Sequence, residues 1–438
     1  MIQTISQSSV IAPAHDHGDD DRNDNRRKLL IVAYSFHPSG TMEERNGWMR
    51  AVKAAQDHFV TVLYRPIDSL RTLVSAIPHS VPNGQLQLTP IDLGGLPRAL
   101  ERMDATFYFG YRAWHRRAFE VAKKLHAESP FDLAHMVSLC GYREPGFIWK
   151  LPIPHVWGPI GGAHNFPVQF SGLLDPWNAL RESVRSVINY YQLRYCRRIR
   201  AAARASTVVV ATRSSQHELR HVLGNKAEVD LETGIEQAIS PPRSPRNPEA
   251  PLRILWAGRF REWKALPLLL YAIKELPSDI RIQLRIVGHG QSQQRWARLA
   301  QRYQMEHNIE WIARPRNYRD SLQHYDWADV FAFTSLRDTS GTGLLDSLAA
   351  GTPIIGVDHQ GAADIMTDEC AIRVPVTKKS PTIQEFARGL TALARDPELW
   401  LLLSHGATRR AAEFTWEKRH QVMSNIYERL LKRSFTST

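Results

Sequence analysis

The stretch ADVFAFTSLRDTSGTGLLDSLAAGTPIIGVD, Ala328–Asp358, holds the pieces from which the fold is read. ADVFAFTS is a short apolar run and predicts a buried parallel strand. Small and polar residues follow it and predict a loop. Leu344–Ala350 predicts a helix, and TPIIGVD a second strand. Strand, loop, helix and returning strand make the unit of a doubly wound α/β sheet. The unit recurs upstream, where LRILWAG, IQLRIVGHG and IEWIA read as strands and Leu266–Glu275 and Trp296–Gln304 as helices. It stops at SPPRSPRNPEAP, Ser240–Pro251. Five prolines in twelve residues continue neither a helix nor a central strand, so this stretch predicts a domain linker. Before the linker the alternation runs again, from KLLIVAYSF (Lys28–Phe36) through a helix over Asn46–His58 and FVTVLY (Phe59–Tyr64) to STVVVAT (Ser206–Thr212). The expected fold class is therefore α/β, with two Rossmann-like domains facing a cleft. Residues 1–27 are polar and read as a disordered tail. The domains are expected over 28–239 and 252–415, on either side of the linker at 240–251.

The chain has 438 residues, enough for two or three domains, and its 43% hydrophobic content rules out disorder along its whole length. No apolar run reaches about 18 residues, and the first residues do not read as a secretory signal. Three cysteines, Cys140, Cys196 and Cys370, lie far apart, which points to a reducing compartment and to neither a disulfide framework nor a zinc site. The expected location is cytoplasmic. The net charge is +12, and the seven arginines and one glutamate of Arg181–Arg204 supply half of it. Such a surface attracts nucleic acid, anionic membrane or phosphorylated ligands. The segment Leu173–Arg204 mixes these arginines with apolar and aromatic residues. It reads either as a basic amphipathic helix pair at the inner face of a membrane or as a solvated face.

Five constellations carry possible chemistry. In AGRFREWKALPLLL, Gly258 ends a strand, Arg259 follows it and Lys264 stands near the next helix. The set suits a diphosphate, and it equally describes a basic surface loop. In SLRDTSGTGLLDSLAAG, Asp338 falls in the loop and Asp346 in the expected first turn of the helix. Thr339, Ser340, Gly341, Thr342 and Gly343 between them are small enough to let a polar ligand approach the helix amides. An ordinary N-cap with a dipole-compensating aspartate explains the same residues. The loop HPSGTMEERNGW (His37–Trp48), with Gly40, is not a dinucleotide fingerprint but can border a cleft. WGPIGGAHNFP (Trp157–Pro167) is another small-residue turn at a strand end. His135, near the end of DLAHMVS, is either a structural or a catalytic histidine.

Together these segments resemble glycosyltransferase family 4, whose members adopt the GT-B fold. The resemblance covers nearly all of the carboxy-terminal half. Gly258-Arg259 with Lys264 resembles the grip on the donor diphosphate, and VGHG (Val287–Gly290), with Gly288, the family's glycine turn. The Ser335–Asp358 stretch resembles the donor signature, and FTWEKRHQVMSNIYERLL (Phe414–Leu431) the closing helix. That helix, over 416–438, is then expected to pack back towards the amino-terminal domain. HPSGTMEERNGW and YREPGFIWKLPIPHVWGPIGG resemble a bacterial subgroup found near polysaccharide assembly. The family usually has Glu at both signature positions, where this chain has Asp338 and Asp346.

The resemblance implies a retaining glycosyltransferase that uses a nucleotide-diphosphate sugar and a saccharide or lipid-linked acceptor, in polysaccharide or glycoconjugate synthesis. It implies that Asp338 contacts the sugar, that Asp346 contacts the ribose and that His135 stands near the place of a catalytic histidine. No metal and no other cofactor are expected, since cations of the chain replace the metal. Two same-fold alternatives are an inactive binding module and a nucleotide-sugar epimerase. A nucleic-acid binder is suggested by charge alone, and no nucleic acid is expected as a partner.

Overall fold

The computed structural model describes residues 26–95, 106–137, 139, 141–224, 226–236, 243–313, 315 and 318–435. The expected tail lies outside them except for Arg26 and Arg27, as do residues 240–242 of the expected linker. Two parallel sheets carry the chain. The first contains β1 (Lys28–Ala33), β2 (Phe59–Tyr64), β3 (Leu86–Pro90), β4 (Leu133–Met136), β5 (His155–Ile160), β6 (Thr207–Val210) and β7 (Glu228–Val229), in the order β3-β2-β1-β4-β5-β6-β7. The second contains β8 (Leu252–Arg259), β9 (Ile282–His289), β10 (Ile309–Ile312), β11 (Val330–Phe333), β12 (Ile354–Asp358) and β13 (Ala371–Pro375), in the order β10-β9-β8-β11-β12-β13.

The strands read as apolar runs because helices cover both faces. In β1, Leu29, Ile31 and Ala33 join one core cluster, while Leu30 and Val32 join another on the opposite face. In each sheet the strand order reverses beside the first strand, between β1 and β4 and between β8 and β11. Loops at such a switch point diverge and leave a crevice at the carboxyl ends of the strands. The two crevices meet, so the loops after β1, β4 and β7 face those after β8, β9 and β11 across one cleft.

The helix Trp416–Phe435 leaves the second domain and packs on the first. Met423, Ile426, Tyr427 and Leu431 share a core cluster with Leu29, Ile31, Val60 and Val62. A buried charge cluster fixes it there. Asp230 accepts from Arg50 at 2.7 Å through one carboxylate oxygen and from Arg419 at 2.7 Å through the other. Among the described residues no helix is long and apolar enough to cross a membrane.

Candidate functional site: the interdomain cleft

The floor of the cleft on the second domain is made where β8 and β9 end side by side, with Gly258 paired to Gly288 and Arg259 to His289. Gly288 has φ +150°, and a Cβ there would meet the Gly258 carbonyl oxygen at 1.9 Å. Glycine thus keeps this floor flat and open to a ligand. Arg259 is exposed at its edge and forms no ion pair among the described residues. Lys264 ends a short 3-10 turn, and its ammonium pairs with the Asp338 carboxylate from the loop after β11. The Asp338 amide donates to Gln360 Oε1 at 2.8 Å, and Gln360 Nε2 donates across the cleft to the Asn165 carbonyl at 2.9 Å.

The helix of the donor-like signature is Thr342–Ala349, two residues earlier at its start than the sequence suggests. Gly341, with φ +64°, lets the chain turn into it at once. The unpaired amides of its first turn, near Thr342 and Gly343, line the cleft. This start also moves Asp346, expected in the first turn, into the second. There it is half-buried and accepts from the Tyr318 hydroxyl at 2.6 Å. Burial pushes its carboxyl up to about 6, against the opposing pull of the Tyr318 hydrogen bond and the Arg45 charge. Arg45 comes from the first domain and lies 3.9 Å over the Tyr318 ring.

Gly40, Thr41 and Glu43 form the opposite wall. Thr41 caps the helix Met42–Asp57, and its amide donates to Glu44 Oε2 at 2.5 Å, closing a capping box. Ser340 donates to the buried Glu232 of the loop after β7, which also lines the cleft. Thr339 packs on Gly161, where a Cβ would fall 2.3 Å from Thr339 Cγ2. Glu232 escaped the sequence reading, since the strand before it has only two residues and leaves no apolar run to mark. Burial pushes its carboxyl up to about 7, the Ser340 hydrogen bond opposes this, and the nearby Asp338 and Glu43 charges add to it.

His135 is a correction. It lies in the middle of the first sheet, fully buried, between Ile31 and Val156. Nδ1 is 2.5 Å from the Tyr427 hydroxyl and Nε2 is 2.7 Å from the Gly158 carbonyl. Burial pushes the ring down to about 3, so it stays neutral. It does not line the cleft, and its work is to fix the closing helix to the sheet. His164, in the turn after β5, lies closer to the loop after β11: its Nε2 is 3.2 Å from Ser215 Oγ, and the Asp338 charge reaches it.

Gly40, Gly258, Arg259, Lys264, Gly288, Asp338, Asp346 and the whole of Thr339–Gly343 thus border one cleft of about 580 Å³. That volume is within the range of small-molecule sites. Among the described residues no group of three or more His, Cys, Asp or Glu is placed to hold a metal ion.

Residues 241–410 match the family model described as "Glycosyl transferases group 1". A curated D-inositol 3-phosphate glycosyltransferase of Streptomyces bingchenggensis is 30% identical over 192 residues, which are 41% of this chain and 40% of that protein. The chain thus matches about two-fifths of the length of this relative. Among solved structures, sucrose-phosphate synthase from Thermosynechococcus elongatus superposes with a TM-score of 0.65 at 17% identity, covering 94% of this chain and 100% of its own. Anabaena HepE in complex with UDP-glucose superposes with a TM-score of 0.58 at 14% identity, covering 92% and 100%. The two-sheet architecture is that of these GT-B proteins, and the carboxy-terminal half of the chain is similar to glycosyl transferases group 1.

Proposed function

We propose that the protein is a retaining glycosyltransferase that moves a sugar from a nucleotide-diphosphate sugar to a saccharide or lipid-linked acceptor in polysaccharide or glycoconjugate synthesis. The carrying observation is that Arg259, Lys264, the amides of the Thr342 helix and two aspartates converge on one cleft. The chemical obstacle is the departure of a diphosphate while positive charge grows at the anomeric carbon. As the C1–O bond breaks, its electron pair passes to the diphosphate, where Arg259, Lys264 and the helix amides meet the new charge. Fixed charges and dipoles of this kind supply most of the rate enhancement in many enzymes. The acceptor oxygen bonds to C1 on the face the diphosphate leaves, and the acceptor proton passes to a departing phosphate oxygen. Asp338 faces the sugar, and Asp346 the ribose hydroxyls through the site Tyr318 now occupies. No cofactor is part of this reading. The enzyme works as a peripheral protein at the inner face of the membrane.

The experiment is donor hydrolysis and transfer across a panel of nucleotide sugars, by the native protein and by Arg259→Ala. Losing one charge-assisted contact of about 1.5–3 kcal/mol should slow the reaction roughly tenfold to a hundredfold. The melting temperature should hold, because Arg259 is exposed. Unchanged kinetics in the variant would remove the diphosphate grip. Nucleotide binding without turnover of any donor would establish the binding-module alternative instead.

A further inference from the structure

The helix Pro176–Tyr195 is amphipathic the wrong way round for a helix on a protein surface. Trp177, Leu180, Val184, Ile188, Tyr191 and Tyr195 recur at spacings of three and four, so they form one stripe along it. That stripe faces outward, with each residue between 42% and 66% exposed. Glu182, Arg185 and Asn189 face inward, and they are partnered. Glu182 pairs with Arg337 at 3.2 Å, Arg185 donates to the Gly162 carbonyl at 2.7 Å, and Asn189 donates to the Ala163 carbonyl at 3.1 Å. The helix is therefore held in this rotation by its polar side. Its apolar side has no cover among the described residues, and a continuous apolar strip of this length marks an interaction surface.

We propose that this stripe is the face by which the protein lies on an anionic lipid surface. Charge chooses the occupant. The only acidic residue of the helix, Glu182, is buried, while Arg181 and Arg194 flank the stripe and the exposed Arg197 follows it. A second copy laid antiparallel on the same stripe would set these arginines against one another with no carboxylate between them. A surface of lipid phosphates neutralises them instead. Trp177 at one end and Tyr191 and Tyr195 at the other present rings suited to the headgroup level. The twenty residues extend over about 30 Å. The arginine-rich turn that follows is a weaker contributor than its composition suggests, because Arg198 pairs with Glu144 and stacks on Phe147 at 4.3 Å. The inner face of the helix grips Arg337, the neighbour of Asp338, and the loop that carries His164. Lipid contact would thus set the cleft beside the membrane.

This deepens the peripheral-membrane part of the proposed function and is tested apart from catalysis. Flotation of the full chain with phosphatidylcholine–phosphatidylglycerol vesicles should show binding that weakens as salt rises, since exposed charge is screened over about 8–10 Å at physiological ionic strength. Binding to pure phosphatidylcholine should be weaker. The double variant Val184→Asp, Ile188→Asp should lose at least about tenfold in partitioning, the loss expected for two buried apolar side chains. Its melting temperature and donor hydrolysis measured without vesicles should match the native protein. No binding to either vesicle, or equal binding by the variant, overturns the proposal. Self-association in solution that the variant abolishes, with no vesicle binding, reassigns the stripe to a second copy. Hydrolysis is read without lipid and flotation without donor, so either can fail alone.

Discussion

Lys264 cannot neutralise a carboxylate and a diphosphate with full effect at the same time. Its ammonium is paired with Asp338, so a donor must draw it away. Removing the carboxylate's charge should therefore free the cation. Asp338→Asn is expected to bind a nucleoside diphosphate at least as tightly as the native protein in calorimetry, while sugar transfer is lost. Weaker nucleotide binding in that variant would mean that Asp338 serves to hold Lys264 in place. Glu232 offers a pH test. Its folded pKa of about 7 stands above the ordinary 4.5, so the folded state favours the proton. The stability it contributes is complete below pH 4.5 and is lost as pH rises through about 7. Glu232→Gln keeps an acceptor for Ser340 without the charge. Its stability relative to native should rise by on the order of 2–3 kcal/mol between acid and pH 8, read as a widening gap in melting temperature. A gap that does not change with pH would show that the carboxyl is not the titrating group. The residues legible in the sequence were those in motifs with fixed spacing, such as Arg259 and Asp338. His135 misled because its position near a strand end says nothing about which face of the sheet it occupies.

At the scale of elements, strands were legible where both faces are buried, because the apolar run is then continuous. Helix starts were not, because caps rather than hydrophobic periodicity decide them. The helix expected from Asn46 begins at Met42, and the signal was the capping box in Thr41-Met42-Glu43-Glu44. It also accounts for Gly40, where a Cβ would lie 2.1 Å from Glu44 Oε2. Glu44→Ala should cost about 1 kcal/mol in stability, as a lost cap does. It should loosen the wall formed by Gly40, Thr41 and Glu43 and raise the donor KM more than it changes kcat. A variant with native KM would show that this wall does not depend on the box. In the second domain, Gly341 advances the helix start to Thr342 and so carries Asp346 past the first turn.

Across the whole molecule, the two halves are joined by more than the linker. The closing helix brings Arg419 to Asp230 and Tyr427 to His135, contacts that join positions 189 and 292 residues apart in the chain. Asp230→Ala would leave Arg50 and Arg419 facing each other without their carboxylate. A broken buried pair costs about 3–5 kcal/mol. The loss should appear in calorimetry as an amino-terminal transition separating from, and falling below, the carboxy-terminal one. A single unshifted transition would show that the cluster is not what clasps the helix. The tandem α/β pattern announced two domains, but such long-range pairs leave no local pattern to read. The helix that clasps the first domain is also made by the ribosome later than the whole of the second. While residues 252–415 are being synthesised, the first sheet waits with the face of Leu29, Ile31 and Val60 covered by the helix Met42–Asp57 but not by the closing helix, and with His135 lacking its tyrosine. Order of synthesis and order of completion are therefore reversed, and a chain cut short after the second domain would betray itself through the first.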